Sequence, residues 1–202
     1  MTDDMRLVLD WDGTITERDT LHMVLAEFGD TERVDAADAA LHRGEITLEQ
    51  EIRRQFSTVT APVVEVAAWV VENARIRPGF AELVAEQRPL VVSSGFHELI
   101  EPVLALEGVV VDLHANRIEE RTDGWRVIWR YPEGCDECGQ SCKRSVLPPG
   151  RVVYVGDGYS DRCAALAADR VFATRGLARY LTERGVAFEP FSDLHTVSRA
   201  LA

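Results

Sequence analysis

Arg6-Leu7-Val8-Leu9 is a short apolar run that stops at Asp10, the pattern of a buried strand. Beyond it the hydrophobic period lengthens from two residues to about 3.6. Leu21, Val24, Leu25 and Phe28 fall on one helical face, Leu48, Ile52 and Phe56 on a second, and Val63, Val66, Ala67 and Val70 on a third. Residues 15–77 therefore read as helical, with no convincing strand. From Arg77-Pro78-Gly79 onward the rhythm becomes strand, helix, strand. The pattern predicts a helix over 79–87, the strand Leu90-Val91-Val92 running into Ser93-Ser94-Gly95, and a helix over 97–107. A strand is expected from Val109-Val110-Val111, and alternation over 112–131 around Asp123-Gly124 predicts a hairpin. Val152-Val153-Tyr154-Val155 is a further strand, ending in Gly156-Asp157-Gly158; a helix over 161–168 and the strand Val171-Phe172-Ala173 close the series. Apolar strands alternating with helices define an α/β chain with a doubly wound parallel sheet.

Composition narrows the field of partners. The chain has 202 residues, and its 22 Lys and Arg against 34 Asp and Glu leave a net charge of −12. So acidic a protein lacks the basic surface that nucleic acid or an anionic membrane requires. Glu65 and Glu72 break the longest apolar stretch, around Trp69, so no membrane span is expected. Met1-Thr2-Asp3-Asp4 lacks the basic and apolar regions of a secretory leader. A cytoplasmic protein, monomeric or homodimeric, is expected, with no nucleic-acid and no membrane partner.

The polar clusters Asp10–Thr14, Ser93–Gly95 and Gly156–Asp161 all follow strands, and in doubly wound sheets ligands bind beyond the carboxyl ends of the strands. In Asp10-Trp11-Asp12-Gly13-Thr14 the glycine permits a tight turn that gathers two carboxylates around one point. Paired acids need a cation, or one must stay protonated. Mg²⁺ suits an oxygen-only site that also takes a substrate phosphate, and Asp157 and Asp161 supply further oxygens at the same edge. Turn and cap roles are the competing reading for any one such cluster.

Taken together, Asp10-Trp11-Asp12-Gly13-Thr14-Ile15-Thr16, Leu90-Val91-Val92-Ser93, Lys143 and Gly156-Asp157-Gly158-Tyr159-Ser160-Asp161 resemble, in order, the four motifs of the haloacid dehalogenase superfamily of phosphatases. The resemblance implies a Rossmann-like core of residues 1–14 and 78–202, with a helical cap over 15–77 inserted after the first strand, as in the phosphoserine phosphatase-like branch. It implies an aspartyl-phosphate mechanism on a small-molecule phosphate ester. Asp10 would be the nucleophile. Asp12 would be the general acid and base, and should titrate higher than Asp10. Ser93, the backbone near Ser94, and Lys143 would grip phosphate. Mg²⁺ would be held by Asp10, the Asp12 carbonyl and Asp157, with Asp161 supporting it or orienting Lys143.

Within the branch, Asp19 matches an acidic position that faces a substrate amine. The position of a carboxylate-binding arginine is taken by Gln55, with Arg53 and Arg54 two residues and one residue before it. Asp-Gly-Thr-Ile-Thr with Asp19-Thr20, the Ser93–Phe96 turn, cysteines before Lys143, and the segments Ala178–Leu181 and Pro190–Asp193 resemble the methionine-salvage phosphatases that act on 2-hydroxy-3-keto-5-methylthiopentenyl-1-phosphate. Trp11 stands where Phe is commoner, on the expected pocket floor. Phosphoserine, phosphocholine or phosphoethanolamine hydrolysis, and phosphotransfer on the same fold, are the alternatives. A non-enzymatic metal or redox module is opposed by the intact acids.

Cys135, Cys138 and Cys142 form C-x₂-C-x₃-C, a spacing suited to a structural Zn²⁺, with a reversible disulfide as the alternative. Cys163 and His114 are conceivable fourth ligands, although Cys163, among Ala164, Ala165 and Leu166, reads first as a small buried hydrophobe. His22 could face substrate from a cap helix, and His97, after the Ser93 turn, could reach the cleft.

Overall fold

A computed structural model describes residues 5–202; Met1–Asp4, read above as the start of the core and as lacking a leader, lie outside the described residues. Strand β1 (Arg6–Asp10) is followed by a tight turn over Trp11–Ile15 and four helices, α1 (Thr20–Phe28), α2 (Thr31–His42), α3 (Leu48–Phe56) and α4 (Val63–Asn73). Then come α5 (Phe80–Gln87), β2 (Leu90–Phe96), α6 (His97–Leu106), the hairpin β3 (Asp112–Glu119) and β4 (Arg126–Ile128), and β5 (Val152–Gly156). The chain closes with α7 (Arg162–Ala165), β6 (Arg170–Ala173), α8 (Arg175–Glu183), β7 (Glu189–Pro190) and α9 (Leu194–Leu201).

The seven strands form one sheet in the order β4-β3-β2-β1-β5-β6-β7, parallel except for the β3–β4 pair. Side chains alternate across it. Leu7, Leu9, Val91, Val153 and Phe172 enter one apolar cluster with α4, α5, α6 and α9, whereas Val8, Val92, Tyr154 and Val171 enter another with α7 and α8. Helices thus cover both faces, as the alternation implied. Winding reverses between β1 and β5, so the crevice for a ligand opens where Asp10 and Asp157 stand.

Among the described residues, no helix is long and apolar enough to cross a membrane. Residues 15–77 are helical except for one antiparallel bridge, Thr16 with Ile76, that joins the two ends of the segment. The hairpin props up its far corner: Trp125 donates its backbone N–H to Val59 O (3.1 Å) and its indole N–H to Ala61 O (2.9 Å), and its ring stacks on Phe56. Gly124 lies so close to Ser57 that a Cβ there would meet its carbonyl.

Two expectations need correction. The run Val109-Val110-Val111 is not a strand; β3 starts at Asp112, and Val110 is 91% exposed in the preceding connection. The helix expected over 161–168 is one turn long, because residues 159–161 first make a 3₁₀ turn. Helices α8 and α9 and strand β7 had no counterpart in the pattern read above.

Candidate active site

The turn after β1 is held by its own side chains. Gly13 takes φ +73° and donates its N–H to Thr16 Oγ1 (3.0 Å), and Thr14 Oγ1 donates to Asp10 Oδ2 (3.1 Å). A Cβ on Gly13 would strike the Asp157 carboxylate, so the glycine is needed for both conformation and close approach. Two arginines, neither of them singled out in the sequence, tie the turn down from outside. Arg77 donates to Thr14 O (2.7 Å), Gly13 O (2.8 Å) and Ser192 O (2.7 Å). Arg175 donates to Glu17 O (2.6 Å) and Asp157 Oδ2 (3.2 Å). Their partners lie as far as 158 residues away or are bare carbonyls, so no local pattern announces them.

Lys143 is the electrostatic centre. Only 1% exposed, its ammonium donates to Asp10 Oδ1 and to Asp161 Oδ1 (2.6 Å). Asp161 Oδ1 also accepts from Tyr154 OH (2.7 Å), while Oδ2 accepts from Asp157 N (2.9 Å) and Gly158 N (2.8 Å). Four donors fill the acceptor positions of this carboxylate. Of the two roles expected for Asp161, the geometry therefore favours orienting Lys143. Burial lowers the Lys143 pKa, but Asp10 and Asp161 outweigh it and hold the ammonium above its ordinary range.

One ammonium and the half-exposed Arg175 guanidinium do not balance three acids. Oxygens of Asp10, Asp157 and Asp161 lie within 4.8 Å of one another. Burial, then Asp161, push Asp157 up to about 6, against Lys143 and Arg175, and burial followed by Asp161 also raises Asp10. This all-oxygen, overcharged cluster fits a hard divalent cation, with Asp10, Asp157 and the Asp12 carbonyl available to hold Mg²⁺. Asp12 accepts from Thr20 N (2.9 Å) and Thr20 Oγ1, with Ser93 Oγ at 3.4 Å. Burial, then Asp19, raise Asp12 to about 7. Without a cation both carboxyls are raised; a cation beside Asp10 would bring Asp10 down and so favour the expected order of the two.

These raised carboxylates set a pH dependence. Asp12, Asp157 and Glu51 titrate at about 7, 6 and 7 in the folded chain, against ordinary values of 3.8, 3.8 and 4.5. The folded state binds the extra protons, so stability is greatest below the unfolded pKa values and is lost as pH rises through the folded ones. Urea titrations of cation-free protein at pH 5, 6.5 and 8 are expected to give a falling midpoint, and Mg²⁺ to flatten the decline. A midpoint that rises with pH would refute the assignment.

Ser93 is buried, and its Oγ accepts from Gly95 N (2.8 Å), which holds the strand-end turn closed. Asp10, Asp12, Ser94, Lys143 and Asp157 line one cleft of about 230 Å³, whose far wall comes from α1, α2 and α3. Asp19 caps α1, accepting from His22 N (2.8 Å), and both residues reach that cleft. Gln55 lines it too, whereas Arg53 and Arg54 are exposed and do not. Other expectations fail. Trp11 is wholly buried edge-on to Phe80 and does not floor the cleft. His97 pairs with Glu101 (2.7 Å) instead of reaching the cleft, and His114 lies beside Asp112, away from the cysteines. Cys163 is not simply a small hydrophobe, because its sulfur joins those of Cys135, Cys138 and Cys142 within 4.8 Å.

Comparison with known proteins agrees with this geometry. A family profile described as haloacid dehalogenase-like hydrolase matches residues 7–166. The chain is 31% identical to the bifunctional enzyme MtnB/MtnX of Bacillus licheniformis over 96% of its own length, spanning 48% of that protein. It is 29% identical, over its full length and 96% of the relative, to 2-hydroxy-3-keto-5-methylthiopentenyl-1-phosphate phosphatase of Brevibacillus brevis. A solved phosphoserine phosphatase, described as a phospho-aspartyl intermediate analogue, superposes with a TM-score of 0.69 at 20% identity, covering 97% of this chain and 98% of that one. The fold and the acid cluster at its switch point define a phosphoryl-transfer hydrolase. The chain belongs to the haloacid dehalogenase-like hydrolases. It is a phosphoric monoester hydrolase of that family, whose phosphatases work with Mg²⁺.

Proposed function

We propose that the protein hydrolyses 2-hydroxy-3-keto-5-methylthiopentenyl-1-phosphate, or a close analogue, as a cytoplasmic methionine-salvage enzyme, monomeric or homodimeric. In this reading residues 15–77 act as a cap over a core of residues 1–14 and 78–202. The observation that carries the substrate class is the far wall of the cleft. Leu21, Leu25, Leu41, Leu48, Ile52 and Phe56 give it apolar surface between the polar Asp19, Asp38 and Glu51, and among the described residues no arginine lines it. A phosphoserine carboxylate would find neither lysine nor arginine there, only His22 and His42, and Lys143 opposite is needed by the phosphate. A methylthioalkyl tail is matched by the leucines. Glu51, raised to about 7 by burial and then Asp38, can present a protonated carboxyl to a substrate carbonyl or enol. The full-length likeness to the Brevibacillus brevis enzyme supports the same ester.

Chemistry follows from the near wall. Asp10 attacks phosphorus and forms an aspartyl-phosphate while Asp12, protonated near neutrality, hands its proton to the leaving alkoxide. Asp12 then takes a proton from water as the acyl phosphate is hydrolysed. Lys143, Ser93 and the backbone near Ser94 hold the phosphoryl oxygens. Mg²⁺ on Asp10, the Asp12 carbonyl and Asp157 supplies the charge neutralisation that phosphoryl transfer needs. The reading also includes a structural Zn²⁺ on Cys135, Cys138 and Cys142.

A second reading, an amine-bearing ester such as phosphoethanolamine or phosphocholine, draws on Asp19, Asp38 and Glu51 in the same cleft. Phosphate release from a panel of esters, with and without Mg²⁺, separates the two. The methylthiopentenyl ester should exceed phosphoserine, phosphocholine and phosphoethanolamine in kcat/KM by at least about 100-fold, the scale of a charged group left unpaired in an unsuited pocket. Preference for an amine ester would establish the second reading. Transfer of phosphate to an added alcohol in place of water would identify a phosphotransferase.

A further inference from the structure

The loop between β4 and β5 carries three cysteines, and α7 brings a fourth to them. All four sulfurs lie within 4.8 Å of one another. A tetrahedral Zn²⁺ with bonds of about 2.3 Å puts its sulfurs about 3.8 Å apart, so the cluster needs only a slight contraction. Burial raises the Cys142 and Cys163 thiols, so their ionisation would come with the metal, but donors already face the sulfurs. Backbone N–H groups of Glu137 and Cys138 are directed at the Cys135 sulfur, that of Arg144 at Cys142, and the Arg144 side chain at Cys163. Gly139 takes φ +68° and donates to Cys135 O (2.7 Å), closing the Cys135–Cys138 turn. Close by, Arg130 interacts electrostatically with Tyr154 and Cys142, and its buried Nε and Nη2 have no acceptor. An anionic metal–thiolate centre would give that guanidinium its missing counter-charge.

What the cluster touches matters more than its composition. Lys143 follows Cys142 directly. Ser141 N donates to Glu49 of α3, across from the sheet. Arg130 Nη1 donates to Ser93 O (2.6 Å) at the other phosphate-gripping turn. Cys163 stands two residues after Asp161, the acid that shares the ammonium of Lys143.

We propose that Cys135, Cys138, Cys142 and Cys163 form a four-thiolate structural site for Zn²⁺, with Cys163 as the ligand that locks the loop to α7, and that its occupancy sets the position of Lys143 and hence the affinity for phosphate. The proposal completes the three-cysteine reading above, and only its second half rests on the hydrolase function. Disulfides are the alternative use of the same thiols, and they would leave Arg130 without a counter-charge.

Protein produced with Zn²⁺ should contain one equivalent per chain by elemental analysis. Co²⁺ exchanged into the site should give the intense sulfur-to-metal charge-transfer band and visible absorption of a tetrahedral thiolate centre. Cys163→Ser should weaken Co²⁺ binding by at least about 100-fold, the upper end of the usual loss for an outer partner. Cys138→Ser, at an exposed position, guards against a folding artefact at Cys163. Stripping the metal with a thiolate-displacing reagent and reducing the protein should raise the inhibition constant of inorganic phosphate at least about tenfold, in saturating Mg²⁺, and re-adding Zn²⁺ should restore it. No metal in the Zn²⁺-supplied protein and no Co²⁺ band would overturn the site while leaving Mg²⁺-dependent hydrolysis standing. Metal bound one to one with an unchanged phosphate constant after stripping would overturn the coupling. Loss of hydrolysis with the metal spectrum intact would strike the functional reading alone.

Discussion

Asp10→Asn is expected to lower phosphate release by at least about 10⁴-fold, in line with removal of a nucleophile that acts as one unit with its partners. An amide has no free carboxylate to attack phosphorus, and the other acids cannot replace it. Asp157 is held by Arg175, Asp161 by four donors, and Asp12 by Thr20. The change should nevertheless leave the fold equally or more stable when no divalent cation is present. Asn keeps an oxygen for Lys143, and the Thr14 hydroxyl, now donating to Oδ2 over 3.1 Å, can turn to accept from the new NH₂. Meanwhile one of the two acids bonded to the Lys143 ammonium is gone, and with it the repulsion it exerts on Asp161 and Asp157. Thermal melts with and without Mg²⁺, run beside single-turnover assays, test both halves. Undiminished turnover would remove Asp10 from the chemistry.

The opposite signature is expected of Lys143→Met. Removing the ammonium leaves the buried Asp10 and Asp161 facing each other without the cation between them, and breaking a buried pair in this way costs about 3–5 kcal/mol. The loss should be larger at pH 8 than at pH 5, where the orphaned acids can take up protons. Urea unfolding at the two pH values measures it, and equal stability at both would show that the pairing is weaker than its geometry. Hydrolysis should fall with stability, since no other cation among the described residues lines the cleft except histidines. The two variants thus separate chemistry from architecture: one disables a sound fold, the other weakens the fold through the same contact.

How far the sequence foretold this depends on how locally each contact is made. Asp10, Asp12, Gly13 and Thr14 lie within five residues, and their turn is closed by their own hydroxyls, so the stretch was readable as a unit. The strands on both sides of β1 were equally plain, because a central strand buried on both faces is a continuous apolar run. Val109-Val110-Val111 shows the limit of that rule: Val109 and Val111 pack half-buried on the core from an unpaired connection, Val110 stands in solvent, and pairing starts only at Asp112. Helix α8 was hidden because just two of its residues, Leu177 and Leu181, are fully buried. Arg77, Arg175 and Arg130 hold the site through carbonyls or carboxylates far off in the chain, and an arginine by itself carries no sign of such a partner. Cys163 is the same problem in reverse. Its neighbours Ala164 and Ala165 are buried in the core, and they disguised a side chain that turns toward the cysteine loop.

The segment 15–77 is closed on itself where Thr16 pairs with Ile76, and it is tied to the rest of the chain at several points. Trp125 and Gly124 grip the corner between α3 and α4, Arg175 holds Glu17 O, Thr20 bonds Asp12, and Ser141 N bonds Glu49. Helices α1 and α3 are thus bonded directly to Asp12 and to the loop that carries Lys143. Any displacement of those two helices that widens the cleft must let go of these bonds, so access to the site and the setting of its acid and its ammonium change together.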